Sequence, residues 1–542
     1  MKINSMLLTD WYKVGHPNQY HPNIFNVYSN GTARKSRMAG VEEIVVFSIE
    51  SFIKEFLIEH FNNNFFNKTE EEIITSYSRR VRTSLLGGDP EPLKHKFYQK
   101  NYPGDPYGHI RHLHRLGFLP IIIKALPEGS KVPMRVPFVT VTNDRKKHPE
   151  MFWLTNFIES IMSASTWQAI TSATIANEYR KLFEDAAMET VGNADFVPFQ
   201  GHDFSFRGMS SLQSACYSGA AHLLSFVGTD TIPAIDWLEQ YYNANADKEM
   251  IGVSVSATEH AVMCSNTGFY VWDKCDGDWS KVGECEFEVF KELITVTYPN
   301  GIVSIVSDTW NLWRVMGYAK RLKKEILARN GKVVFRPDSG TPEDILCGDV
   351  LWESIVDYKA NSGGDHYQSP ENKGVIELLY EIFGGTITPM GFIILDPHVG
   401  TIYGDSISIA RAKEIIRRLK NKGFASINWV AGIGSYTYQY NTRDTFGMAI
   451  KATYCEATND DETKIYEIPI FKDPITDDGT KKSAKGLIRV DEITQPDGTK
   501  TFVLTDGVSW EEEAKGALEP VFVNGVLVRE TSLAEIRKKI RE

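Results

Sequence analysis

The chain has 542 residues, 42% hydrophobic and 24% charged, a balance that excludes a disordered protein and fits a folded globular one. Its length exceeds one ordinary core, so two domains, or one barrel with a large addition, are expected. A net charge of −11 argues against nucleic acid or an anionic membrane held by overall attraction, while leaving room for a local basic pocket.

Six cysteines, at positions 216, 264, 275, 285, 347 and 455, form no Cys-x-x-Cys pair and no disulfide framework. A reducing cytoplasm is the expected compartment. Only residues 6–8 form an apolar run near the N-terminus, so no signal peptide is expected. No stretch approaches the length of a membrane span.

In chain order, the lead-in carries the aromatic and polar groups Asp10-Trp11-Tyr12-Lys13 and Gln19-Tyr20-His21-Pro22. Residues 24–28 are β-branched and aromatic enough for a strand, and 47–61 have the apolar spacing of an amphipathic helix. Residues 118–126 and 131–142 read as strands, and 152–173 as a buried helix dotted with Ser and Thr. From residue 196 onward a strand, a polar cluster and a helix recur. Strands are expected at 223–226, 251–255, 302–306, 332–335, 399–403 and 427–430, with helices at 211–224, 310–322 and 409–419. The apolar run at 223–226 overlaps the end of the first helical pattern. Thr341 with Pro342 starts a further helix as N-cap and first helical residue. Residues 274–284 and 359–373 read as surface insertions. After residue 443 strands return at 449–454, 465–471, 486–490 and 501–504. A hairpin follows around Asn524-Gly525, then a helix with a Ser532/Glu535 capping box.

The fold class expected is therefore α/β: a TIM-like, irregular α/β barrel domain, plus a β-rich α+β domain built from both chain ends. The barrel is assigned to residues 156–444 and the second domain to 1–155 and 445–542. Loops after parallel strands gather at one face, and ligands bind there. Those loops carry Phe204, Arg207, Asp230, His260, Asp308, Arg336, Asp338 and Asp405, with glycine turns at Gly404 and Gly434. No His or Cys cluster has metal-ligand spacing, and there is no Gly-x-Ser-x-Gly elbow or P-loop. Carboxylates, arginines and glycine turns suit a phosphorylated substrate carrying hydrated Mg²⁺. Taken singly, Asp308 and Asp405 also suit helix caps, Arg336 and Asp338 a structural ion pair, His260 a structural histidine, and Phe204 a core residue. Their common placement at strand ends favours a site.

These residues carry a resemblance. The motifs Thr9-Asp10-x-Tyr12-Lys13-Val14, His202-Asp203-Phe204-x-x-Arg207-Gly208, Gly228-Thr229-Asp230-Thr231, Glu259-His260, Val306-Ser307-Asp308, Arg336-Pro337-Asp338-Ser339-Gly340, Gly404-Asp405, Thr442-Arg443-Asp444 and Phe471-Lys472-Asp473-Pro474 run in order along the chain. Together they resemble the nicotinamide phosphoribosyltransferases, a type II phosphoribosyltransferase family, from end to end. The resemblance implies that nicotinamide and phosphoribosyl pyrophosphate give nicotinamide mononucleotide and pyrophosphate in NAD salvage, with Mg²⁺ as cofactor and ATP as co-substrate. It implies that Tyr12 and Phe204 sandwich the pyridine ring, that Asp230 accepts from the carboxamide, and that Arg207, Ser304 and Arg336 line the pocket. Asp308 and Asp338 would face ribose and magnesium, and Gly404, Asp405, Gly434 and Ser435 would hold ribose and phosphate. Arg34, Arg443, Lys451, Lys472 and Lys481 would supply positive charge. His260 resembles the histidine phosphorylated when ATP is hydrolysed. A cytoplasmic homodimer with shared active sites is implied, binding neither nucleic acid nor membrane. The turn Gly432-Ile433-Gly434-Ser435-Tyr436 departs from the family in having fewer glycines. The alternatives are a nicotinate phosphoribosyltransferase, against which Asp230 argues by charge, and a noncatalytic binding or signalling protein on the same fold.

Overall fold

The computed structural model describes residues 3–85, 90–404, 406–471 and 484–542. The chain divides into two compact units. One holds Met1–Thr174, Trp237–Asn245 and Asn441–Glu542, and the other Ile175–Asp236 and Ala246–Tyr440.

The first unit is built on a seven-stranded sheet in the order Ile465–Pro469, Met448–Thr458, Ile24–Ala33, Pro137–Asn143, Ile121–Ala125, Glu519–Val523, Val526–Leu527. Every pairing in it is antiparallel. Ile24–Ala33 is a central strand, paired on both edges, and its side chains are almost all buried on both faces. The hairpin turn places Asn524 at φ 49° and Gly525 at φ 86°, the left-handed pair that a two-residue connection requires. The capping box at Ser532 and Glu535 is formed, with both hydrogen bonds in place. Trp237–Asn245, inside the barrel span by sequence, packs here because it is aromatic: Phe47 stacks on Tyr242 at 5.1 Å, and the Tyr242 hydroxyl donates to Glu128 at 2.9 Å.

The second unit contains a seven-stranded sheet that is parallel throughout. Its order is Gly228–Thr229, Gly201–Asp203, Trp429–Ile433, Val399–Tyr403, Asn330–Arg336, Asn300–Val306, Ser256–Ala257. One segment joins its two edges. Val253 bridges to Gly228, while Ser256 and Ala257 pair with Val303 and Ser304. The sheet is thus curled into the irregular α/β barrel expected, with two of its strands only two residues long.

Several local readings need correction. Residues 223–226 form the turn that closes the Leu212–His222 helix, not a strand: Leu223 N–H donates to the Gly219 carbonyl at 3.0 Å, and Phe226 N–H to the His222 carbonyl at 3.0 Å. The two leucines and Phe226 are buried in that turn, which is why the run reads as a strand. Strand pairing at 251–255 begins only at Val253. Gly432 and Ile433 lie inside the Trp429–Ile433 strand, so the turn begins at Gly434. The expected insertions begin and end in helices, His260–Cys275 and Val282–Glu292 for the first, Ile355–Asn361 and Pro370–Phe383 for the second, with turns and short 3-10 segments between. The helix read at 152–173 runs on as Phe152–Thr190. Thr166, Thr174 and Thr190 satisfy their hydroxyls on the carbonyls four residues back, at 2.7–2.8 Å, which lets a polar-dotted helix be buried.

Glu286, on the Val282–Glu292 helix, is fully buried, and one of its oxygens accepts from the Tyr318 hydroxyl at 3.1 Å. Burial pushes its carboxyl up to about 7, against the pull of Tyr318 and the Arg314 charge. The folded chain therefore binds this proton more tightly than the unfolded one. The associated stability is complete below the ordinary value of 4.5 and is lost as pH rises through about 7. We expect the thermal midpoint to fall from pH 5 to 8 by an amount corresponding to about 2–3 kcal/mol. Glu286→Gln, which keeps an acceptor for Tyr318 without charging, should lose that part of the slope. Equal slopes in the two proteins would exclude Glu286 as its source.

Candidate active site

The strand ends are tied together by a buried carboxylate. Asp203 Oδ1 accepts the Ser205 N–H at 2.9 Å, and Oδ2 accepts the hydroxyls of Thr231 at 2.6 Å and Thr229 at 3.4 Å. Its own carbonyl accepts the Asp230 N–H at 2.9 Å, so the loop bearing Phe204 and the loop bearing Asp230 are held in one register. Phe204 is fixed further by donating its N–H to the Ile433 carbonyl at 2.9 Å. Close packing there requires glycine: a Cβ at Gly432 would lie 2.8 Å from Phe204 Cδ2 and 2.5 Å from the Tyr403 carbonyl oxygen. At Gly404 a Cβ would lie 2.4 Å from Asp338 Oδ1, so glycine leaves room for that carboxylate.

Asp230 accepts from His202 Nε2 at 2.9 Å and from the Ser254 hydroxyl at 2.6 Å, both on Oδ1. Partial burial alone would raise its carboxyl, but the bond and charge of His202, the Ser254 bond and the Arg336 charge hold it below the usual carboxylate value. It is therefore ionised at neutral pH. The His202 ring sits 4.6 Å from that of Phe204.

Asp308 is the second anchor. Its Oδ1 accepts from His260 Nε2 at 3.1 Å, and its Oδ2 accepts the Asp338 N–H at 3.0 Å and the Ser339 hydroxyl at 2.6 Å. The Asp308 side chain is 5% exposed and that of His260 47%. Neither bland reading fits this region. The helix after Asp308 is capped by Asn311, and Arg336 donates to the Thr258 carbonyl at 2.7 Å rather than pairing with Asp338. The helix after Asp405 is likewise capped by Ser408. His260 is the first residue of its helix and has its ring half in solvent.

A cavity of about 530 Å³ runs inside the barrel. His202, Phe204, Asp230, Ser304 and Arg336 line it near the C-terminal ends of the strands, and Phe199 and Asn428 line it at the other end. TIM-type interiors are normally filled by large side chains. Gly228, Ala257, Ser304 and Gly400 leave this one open. Ser304 Oγ and Arg336 Nε are buried with no hydrogen-bond partner among the described residues, which suits a polar ligand. The sequence reading missed the direct role of His202 and Ser254 in holding Asp230. His202 lies within a motif, whereas nothing in the pattern around Ser254 marks it.

Within this unit Arg207 lies on the Phe206–Gly208 turn, and a Cβ at Gly208 would overlap Ser435, so these two loops touch. Gly434 has open space around its Cα and precedes the short Ser435–Tyr438 helix. Tyr12, Arg34, Arg443 and Lys451 belong to the other unit. There Tyr12 is exposed, Arg34 Nε donates to the Gly447 carbonyl at 2.9 Å, and Lys451 pairs across strands with Asn30. Arg443 opens the turn that follows Thr442 and lies 3.5 Å from Asp444. Asp405, Lys472 and Lys481 lie outside the described residues.

A parallel α/β barrel with an aromatic residue, an ionised carboxylate and a histidine–aspartate pair at its strand ends is the architecture of a small-molecule enzyme. The chain belongs to the nicotinate phosphoribosyltransferase (NAPRTase) family, whose model matches residues 199–514. It is 44% identical to a nicotinamide phosphoribosyltransferase of Acinetobacter baylyi, over all of this chain and 98% of that one. To a nicotinamide phosphoribosyltransferase of Mycoplasma pneumoniae it is 33% identical, over 89% of this chain and 95% of the relative. Among solved structures it is similar in fold to human nicotinic acid phosphoribosyltransferase, with a TM-score of 0.52 at 13% identity, over 99% of this chain and 93% of that one. Among the described residues, no helix is long and apolar enough to cross a membrane.

Proposed function

We propose that this chain transfers the phosphoribosyl group of phosphoribosyl pyrophosphate to nicotinamide, forming nicotinamide mononucleotide and pyrophosphate in NAD salvage in the cytoplasm. The observation that carries the reading is Asp230, ionised and steered by His202 and Ser254 beside Phe204 at one end of an open cavity. An ionised carboxylate accepts a carboxamide N–H and repels a carboxylate. The pyridine ring lies on Phe204, with Ser304 and Arg336 in the cavity wall; the resemblance adds Arg207, which sits on the Phe206–Gly208 turn just after Phe204.

The ring nitrogen is already nucleophilic, so no base is needed. It forms the bond to C1 of ribose as the C1–oxygen bond to pyrophosphate breaks, and the electron pair leaves with pyrophosphate. Asp308 and Asp338 stabilise the positive ribosyl centre, and Gly404, Gly434 and Ser435 bring backbone and hydroxyl groups to the sugar and its phosphate. Magnesium, held by Asp308 and Asp338 and otherwise by substrate oxygens and water, would neutralise the pyrophosphate. The donor set fits that ion. The Asp338 carboxylate has no hydrogen-bond partner among the described residues, and no cluster of three or more His, Cys, Asp or Glu among them could serve as a dedicated cage. His260 accepts a phosphoryl group from ATP, its ring oriented by Asp308.

The test is a product assay with nicotinamide and nicotinate offered in parallel. Nucleotide from nicotinamide with little from nicotinate is expected; nucleotide from nicotinate alone would favour the acid-specific alternative, and equal use a relaxed enzyme.

The proposal extends to a symmetric homodimer in which Tyr12, Arg34, Arg443 and Lys451 of one copy serve the barrel of the other, together with Lys472 and Lys481. It is supported by the exposure of Tyr12 and by the position of Arg443 within its electrostatic reach. Tyr12→Ala and Asp308→Ala, each nearly inactive alone, are mixed by co-expression. Half the dimers are then mixed, each with one intact site, so roughly a quarter of wild-type activity is expected to return. No recovery with mixed dimers demonstrably present would refute a shared site.

A further inference from the structure

Two thiols away from the strand ends lie close together. Cys275 ends the His260–Cys275 helix and Cys285 lies on the first turn of Val282–Glu292, with their sulfurs 3.8 Å apart. Both are free. The connection between the helices is ordered by its own chemistry. Asp276 and Gly277 take left-handed φ of 49° and 80°, Gly277 N–H donates to the Val271 carbonyl at 3.0 Å, and Asp278 N–H donates to the Cys275 carbonyl at 2.9 Å. A Cβ at Gly277 would lie 2.7 Å from the Trp272 ring, so glycine is required for the turn to close over it. The Asp278 carboxylate then accepts the Ser280 N–H at 2.9 Å and starts the next turn.

We propose that Cys275 and Cys285 are a reversible redox pair that closes to an intramolecular disulfide by exchange with a low-molecular-weight disulfide such as oxidised glutathione. Closure shortens the sulfur separation from 3.8 Å to about 2.05 Å. The half-buried Cys275 is the accessible sulfur. Its thiolate attacks one sulfur of glutathione disulfide, expels one glutathione thiolate and leaves a mixed disulfide. Cys285 then gives its proton to water, attacks the Cys275 sulfur and expels the second glutathione thiolate. Two protein thiols are oxidised and one glutathione disulfide is reduced. Burial pushes the Cys285 thiol up, which fits a resolving rather than an attacking sulfur. The product ties the end of the helix that begins at His260 to the neighbouring helix.

Cys264 is exposed on the same first helix and is removed from the test by Cys264→Ser. The purified variant is incubated with excess oxidised glutathione, unfolded in N-ethylmaleimide and weighed intact. Two fewer maleimide adducts with no attached glutathione are expected, and dithiothreitol should restore both. Adding Cys275→Ser or Cys285→Ser should abolish the paired loss, while reduced protein keeps forming nucleotide, which shows that each variant is folded. No loss of adducts, glutathione retained on Cys275, or the same paired loss after Cys275→Ser would each overturn the proposal.

Discussion

Asp308→Asn is expected to lower kcat/KM for nucleotide formation by roughly 10²–10³-fold, the scale on which a single preorganised electrostatic group contributes to charge stabilisation. The amide keeps the size of the side chain and one acceptor oxygen, so the bond from either His260 or Ser339 can persist. What it removes is the negative charge at the position proposed to face the ribosyl centre and magnesium. His260→Ala should behave differently: ATP hydrolysis is abolished, while slower, ATP-independent nucleotide formation remains. Steady-state assays of both variants, with and without ATP, separate the roles. An Asp308→Asn enzyme with near wild-type kcat/KM, or a His260→Ala enzyme that still hydrolyses ATP in step with synthesis, would remove the respective assignment.

The sequence made the barrel legible wherever a strand was long and its following helix strongly amphipathic. Asn300–Val306, Asn330–Arg336 and Val399–Tyr403 all match runs of β-branched residues ending at a polar cluster. It failed where strands are two residues long. Gly228–Thr229 has no apolar run of its own, so the preceding leucines, which finish a helix, took its place in the reading. Composition also hid the curled closure through Val253, because a single bridge leaves no periodic trace. At the site, the sequence named residues but not their partners. Taken singly, Asp308 suits capping its helix better than a site, and only the geometry shows Asn311 in that place and Asp308 turned to His260, Asp338 and Ser339.

Ser254 shows the same limit more sharply. It lies 24 residues from Asp230 and in no motif, yet its hydroxyl makes the shorter of the two bonds to Asp230 Oδ1. Hydrogen-bonded support of a carboxylate at a cavity wall is set by tertiary approach, which local pattern does not encode. The open interior was equally hidden, since Gly228, Ala257, Ser304 and Gly400 come from four different strands.

Asp230→Ser is expected to weaken nicotinamide use and to relax the exclusion of nicotinate, moving the ratio of the two kcat/KM values by roughly 10²-fold or more. Two like charges brought within a few ångström in a partly desolvated pocket repel by several kcal/mol, so the wild-type carboxylate alone accounts for a shift of that size. Serine removes the charge, and it leaves His202 and Arg336 free to attract the acid. The sign of the pH dependence follows from the same contacts. The Asp230 carboxyl is held below its ordinary value of 3.8, so the charge is present above that value and is lost only as pH falls through the lower folded one. Discrimination by the wild type should therefore be flat from pH 6 to 8. Competition assays with both substrates at pH 6, 7 and 8 give the ratio directly. A wild-type preference that survives Asp230→Ser unchanged would place amide selection elsewhere in the pocket, with Ser304 and Arg336 the next residues to test.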